Sequence, residues 1–264
     1  MLEILKKQIE NAESDRIRIY LLREYLQILI LKGLYDLKAF QNISFMGGTA
    51  LRIIHGVQRY SEDLDFALDH PAGYDANKIA AQLQRMLTKH SFETEIKIRQ
   101  KVVDVIEVKF PLILNSLGIS QHPGEKLMIK IEIDTNPPPG GETESHIIQA
   151  PFLFMLRAYN LASIFAGKLH ASLFHKYVKG RDYYDIFWLL SRKIQPNLVF
   201  FKNAVLQTEE KEIEPELWKE LLKRKLASLD LSKIRRDTRI FLRNPEEADL
   251  LNRENFLNLL QNAN

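Results

Sequence analysis

The sequence predicts an α+β half followed by a helical half, and three observations carry that reading. Apolar spacing changes at residue 42 from a helical period to short, strand-like runs. The last of these runs stops at a Pro-Pro-Pro-Gly-Gly breaker over residues 137–141. From Leu161 onward only helical spacing recurs. The boundary falls at 150–160, which divides the chain into an α+β core with leading helices over 1–155 and a helical domain over 156–264.

Each element has a local cause. Ile17, Tyr20, Leu21, Tyr25, Ile28 and Leu31 recur at near-helical spacing, so residues 1–40 are expected to be helical. Residues 42–46 form a short strand-like run that ends on Gly47-Gly48. A short helix follows over 49–55, with Gly56 as its C-cap. Residues 64–68 predict a second strand and 77–90 an amphipathic helix. Two β-rich runs, 92–99 and 102–110, are joined by the polar Gln100-Lys101, and a further strand covers 127–133. Beyond the breaker, Pro196 and Pro215 mark helix starts, and Asn244-Pro245 opens the last helix.

Composition narrows the class. Of 264 residues, 45% are hydrophobic and 27% charged, the balance of a soluble globular protein. The longest apolar run, 26–31, is far below the roughly 18–20 residues that span a bilayer. The first ten residues mix Lys and Glu where a secretory signal needs apolar continuity, so a cytoplasmic location is expected. With no cysteine, disulfides and thiolate metal sites are excluded. Residues 1–150 carry a net charge of −2 and residues 151–264 one of +5, so the second half is mildly basic.

The chemistry-bearing residues fall into four groups. In Met46-Gly47-Gly48-Thr49 a strand enters a helix through two glycines. Bare N–H groups at a helix N-terminus make a ready anion site, and the Thr49 hydroxyl can cap the helix or touch a phosphate. Residues two apart in a strand share a face, so Asp63 and Asp65 project together. Side-by-side carboxylates are stable when a cation such as Mg²⁺ lies between them. Lys130, Glu132 and Asp134 share another strand face and offer a third acid, as ligand or base. Finally, Lys168 interrupts an apolar helix, which is costly unless its ammonium meets an anion. Close by in sequence, Arg181 stands among Asp182 and Asp185, where a neighbouring Asp can aim it at a phosphate. His170 and His175 lack partners at metal-binding spacing and are expected to be structural.

These residues resemble the AbiEii/AbiGii toxin-type nucleotidyltransferases of the DNA polymerase β-like superfamily. The likeness rests on five ordered blocks over about positions 43–190. They are Phe45-Met46-Gly47-Gly48-Thr49-Ala50-Leu51-Arg52, Arg59-Tyr60-Ser61-Glu62-Asp63-Leu64-Asp65-Phe66 and Lys130-Ile131-Glu132-Ile133-Asp134-Thr135-Asn136-Pro137-Pro138, then the helix containing Gly167-Lys168-Leu169-His170-Ala171 and the stretch Lys179-Gly180-Arg181-Asp182-Tyr183-Tyr184-Asp185. The resemblance implies a polymerase β-like fold with a mixed or antiparallel sheet, to which the helical half adds active-site residues. It implies that Gly47, Gly48 and Thr49 hold a nucleoside triphosphate, and that Asp63 and Asp65 bind Mg²⁺ or Mn²⁺. The family's Lys-x-Asp motif aligns with Lys130-Ile131-Glu132, so Glu132 is the expected third metal ligand and Asp134 the close second. Lys168 would contact the phosphates, Arg181 and Asp182 would complete the pocket with Asp185 as support, and Ser61 would touch the nucleotide. In biological terms, the resemblance implies a toxin neutralised by a cognate antitoxin, transferring a nucleotide from an NTP to an RNA, expected to be the tRNA 3′ end. DNA and membranes are not expected partners. Two alternatives stay open: transfer to a protein hydroxyl, and NTP binding without turnover.

Overall fold

The computed structural model describes residues 2–122 and 124–263. The chain divides into two compact units. The first comprises residues up to 54, 60–137 and 145–158, and the second 55–59, 138–144 and 159 onward.

The first unit opens with α1 (Leu2–Ile9) and the long α2 (Asp15–Asp36), whose Ser14 cap accepts from the Ile17 N–H. From Leu26 to Leu34 the buried positions of α2 cover rather more than half of the helix circumference, a wider buried side than the single apolar stripe of a surface helix. Strand β1 (Ile43–Met46) leads into α3 (Gly47–His55) without a loop, so the helix starts two residues earlier than its sequence pattern predicts. Then follow β2 (Leu64–Leu68), α4 (Ala76–Lys89), β3 (Glu95–Arg99), β4 (Val103–Phe110), the single turn α5 (Ile113–Ser116) and β5 (Leu127–Asp134). Gly33 lets α2 approach α4 closely, since a Cβ there would fall 2.5 Å from Met86 Cε.

Two strands were not foreseen, β6 (Thr143–Ile148) and β7 (Phe154–Tyr159). The reason lies in their exposure. β6 is an edge strand with mostly exposed side chains, so it has no apolar alternation to read. β7 does alternate, burying Phe154, Leu156 and Ala158, but it is short and follows closely on Pro151. With these strands the described residues form a seven-stranded mixed sheet in the order β3-β4-β5-β2-β1-β7-β6. β2 is its central strand, antiparallel to β1 and parallel to β5.

The second unit is helical: α6 (Leu161–Phe174), α7 (Gly180–Ser191), α8 (Leu198–Glu209), α9 (Trp218–Ser228), α10 (Leu231–Arg239) and α11 (Arg253–Asn262). Asn160, Asn197, Asp230 and Asn252 cap α6, α8, α10 and α11. Asn244-Pro245 opens only a 3-10 turn, and the last helix waits for the Asn252 cap. Phe165 meets Trp218, and Phe187 meets Phe256, edge to face in its core. No helix among the described residues is long and apolar enough to cross a membrane.

Candidate active site

Gly47 begins α3 with φ +77°, in the left-handed region that side chains disfavour. A Cβ there would also fall 2.3 Å from Asp65 Oδ2, so the carboxylate lies directly against the turn. The first turn of a helix leaves N–H groups that the helix itself does not use, and its dipole favours negative charge there. The side chain of Thr49, expected to touch phosphate, is buried and donates to the backbone carbonyl of Asp63. It ties the turn to the segment that enters β2. Gly47→Ala is therefore expected to cost about 1–3 kcal/mol of stability by straining the turn and displacing Asp65. Denaturant midpoints check this, and an unchanged midpoint would mean that Asp65 has room to shift.

Strand register decides which acids are neighbours. Asp65 pairs with Met46 on one side and with Glu132 on the other. Directly paired residues point to the same face, Asp63 immediately precedes β2, and Leu64 and Phe66 are buried on the opposite face from Asp65. Asp134 pairs with Ala67, one step farther from the turn, and accepts from the Asn136 N–H at 3.0 Å. Burial holds its carboxyl above the usual range, although the Asn136 bond pulls the other way. Lys130 lies two residues before Glu132, on the same face of β5 and paired in register with Glu107 of β4. Asp63, Asp65, Glu132 and Asp134 are all half-buried. Hard carboxylate oxygens gathered beside helix N–H groups fit a divalent cation shared with phosphate oxygens.

Helix α2 holds the approach to Asp63 at three successive residues. Tyr60 stacks on Tyr20, with ring centroids 4.7 Å apart and planes 4° from parallel, and the Arg52 guanidinium lies 4.9 Å from the Tyr60 ring centre. The Ser61 carbonyl accepts from Gln27 Nε2 at 3.2 Å, and Glu62 pairs with Arg23 at 3.0 Å. Arg52 is itself anchored by Glu24 at 2.6 Å. Arg23, Glu24, Gln27 and Arg52 have no role in the sequence reading. Gln27 did leave a signal, being an uncharged polar residue within an apolar run, and it is 1% exposed. Buried amides are retained where they make hydrogen bonds.

In the second unit the predicted cationic residue has found its anions. Lys168 Nζ lies 2.7 Å from Asp182 Oδ1 and 2.9 Å from Asp185 Oδ2. Arg59, 2% exposed, takes both oxygens of the fully buried Asp185, with Nε–Oδ1 at 2.6 Å and Nη2–Oδ2 at 2.5 Å. Burial would lower the Lys168 pKa, but Asp182 and Asp185 outweigh it and hold the ammonium above its usual range. Burial would likewise raise Asp182, and Lys168 outweighs it in the opposite direction. The result is a network in which two cations and two carboxylates neutralise one another. Arg181 departs from expectation: its guanidinium lies over Phe241, 4.0 Å from the ring centre, a cation–π contact. His170 is structural as expected, its Nε2 2.7 Å from Thr208 Oγ1 and its pKa depressed chiefly by burial.

Comparison with solved structures finds the same fold elsewhere. JHP933 from Helicobacter pylori aligns with a TM-score of 0.55 at 20% identity, over 92% of this chain and 93% of that one. A second H. pylori chain, described as a candidate nucleotidyltransferase, aligns at 0.56 and 20% identity over 91% and 94%. No curated protein sequence matches. The family model of the nucleotidyl transferase AbiEii toxins matches residues 29–262, which takes in every motif described above. The chain therefore belongs to the AbiEii nucleotidyl transferase toxins of type IV toxin–antitoxin systems, and it is a nucleotidyltransferase.

Proposed function

We propose that this enzyme transfers a nucleotide from an NTP to an RNA acceptor, the tRNA 3′ end, using a divalent metal held by Asp63, Asp65 and Glu132. The observation that supports the metal site is the register of β1, β2 and β5, which sets the Gly47 turn, Asp65 and Glu132 side by side, and the RNA acceptor rests on the family resemblance. The Gly47-Gly48 backbone would receive the triphosphate, and Thr49 would keep the turn and Asp63 in fixed relation. A bound Mg²⁺ or Mn²⁺ supplies charge neutralisation at the reacting phosphoryl group. A half-buried carboxylate on this face, with Asp134 the candidate once Glu132 is a ligand, can take the proton from the attacking hydroxyl as its oxygen bonds to the α-phosphorus and the bond to the β-phosphate breaks, releasing pyrophosphate. Ser61 stays in the reading as a nucleotide contact, and Lys168, Arg181 and Asp182 as phosphate-handling groups, on the strength of their motifs. The toxin family brings with it a cognate antitoxin as partner.

The register also ranks the two acids of β5. Glu132→Ala is expected to lower transfer about a hundredfold or more and Asp134→Ala about tenfold, since Glu132 alone adjoins Asp65. Equal losses, or a larger loss at Asp134, would exchange their roles.

The defining experiment incubates the enzyme and Mg²⁺ with each α-labelled NTP in turn and total bacterial tRNA. Label on RNA that is lost after RNase treatment establishes the reading and names the donor. Label on protein replaces RNA by a protein hydroxyl as acceptor. NTP binding in a calorimeter with no label anywhere would refute transfer to either.

A further inference from the structure

Asp63 and Asp65 are held in place by different means. Asp65 lies inside the sheet, paired with Met46 on one side and with Glu132 on the other. Asp63 stands one residue before β2, which begins at Leu64, so the strand ladder does not fix it. Two acids that share a cation must nevertheless both keep their positions. The segment ahead of β2 is held instead by one stripe of α2, since Tyr20, Arg23, Glu24 and Gln27 follow the i, i+3, i+4, i+7 spacing of a single helix side.

Each member of the stripe has a task. Tyr20 stacks on Tyr60, Gln27 donates to the Ser61 carbonyl and Arg23 pairs with Glu62. Glu24 anchors Arg52, whose guanidinium lies over the Tyr60 ring. From α3, Thr49 donates to the Asp63 carbonyl. Residues 60–63 are therefore each gripped by a side chain of α2 or α3, and all of these groups belong to the first unit. Gln27 is buried, a placement whose desolvation cost is offset by the bond it makes to the loop. The stripe also precedes residue 29, where the region matched to the family begins.

We infer that this stripe of α2 is a positioning element of the metal site, with Gln27 its central positioning residue: by fixing the Ser61 carbonyl it holds Asp63 where it can share a divalent cation with Asp65. This rests on the reading of Asp63 and Asp65 as metal ligands. Groups that orient metal ligands from outside the ligand set typically change metal affinity by about 10–100-fold. Gln27 acts two residues away through the backbone, so the lower end of that range applies. Mg²⁺ demands near-ideal octahedral geometry, whereas Ca²⁺ accepts more ligands in irregular arrangements. A loosened Asp63 should therefore weaken Mg²⁺ more than Ca²⁺.

The test needs neither NTP nor acceptor. Free Mn²⁺ is followed by electron paramagnetic resonance during titration of wild type, Gln27→Met and Asp63→Ala, and bound Mn²⁺ is then displaced with Mg²⁺ or with Ca²⁺. Gln27→Met keeps the length of the side chain and removes its donor without changing charge. It should weaken Mg²⁺ about tenfold and Ca²⁺ no more than about threefold, in a protein whose melting curve shows it folded at the assay temperature. Should it melt too low, Arg23→Met combined with Glu62→Gln, a charge-neutral change at two half-buried positions, carries the same expectation. Wild-type affinity in these variants beside a loss in Asp63→Ala would overturn the positioning role and leave Asp63 a ligand. Equal weakening of both ions would also overturn it, because damage to the whole site does not discriminate by geometry. Mn²⁺ binding by Asp63→Ala as tight as by wild type would overturn the metal-ligand reading, and this inference with it.

Discussion

Asp63→Ala is expected to abolish nucleotide transfer, by about 10³-fold or more, with the fold intact. A metal ligand contributes several kcal/mol of transition-state stabilisation, and each 1.36 kcal/mol is about a tenfold change in rate. The fold should survive because the Asp63 backbone carbonyl, which accepts from Thr49 and ties the segment to the turn, is untouched by the substitution. Without metal, deleting one of two neighbouring like charges also relieves repulsion, so the melting temperature should hold or rise slightly. A labelled-NTP assay beside a thermal melt checks both halves. Wild-type transfer by the variant would remove Asp63 from the mechanism, and a collapsed melt would make it structural.

The second large effect is on stability. Arg59→Met should destabilise the protein by about 3–5 kcal/mol, the usual consequence of removing one partner of a buried ion pair. Arg59 and Asp185 are 2% and 0% exposed, so solvent cannot replace the lost charge. Asp185 would be left with Lys168, which it already shares with Asp182. Adding Asp185→Asn to Arg59→Met should recover part of the loss, because the uncompensated carboxylate is then gone. A double-mutant cycle on denaturant midpoints measures the coupling. Additive losses would mean that the pair contributes little as a pair.

Much of the site was legible because its parts are local. The Gly47-Gly48 turn, the Asp63 and Asp65 spacing and the shared face of Glu132 and Asp134 follow from a strand entering a helix and from a two-residue period. Lys168 was legible as a misfit, a charge in an apolar helix, and the structure supplied two carboxylates for it. Arg59 was not legible, because its partner Asp185 lies 126 residues away and nothing local distinguishes a buried arginine from a surface one. The same holds for Arg23 and Arg52, whose partners are set by the packing of α2.

By itself, then, the sequence determined the α+β-then-helical order, the Gly47-Gly48 turn between a strand and a helix, the acids on the strands beside it and, through five ordered motifs, the family. Tertiary structure alone decided that Glu132 rather than Asp134 stands beside Asp65, since strand register is a pairing between segments and is not written in either one. It also decided that residues 55–59 and 138–144 cluster with the helical unit rather than with the strands that flank them in the chain. Spacing along one segment fixes which way side chains point, whereas their neighbours are fixed by long-range contacts that no local pattern encodes.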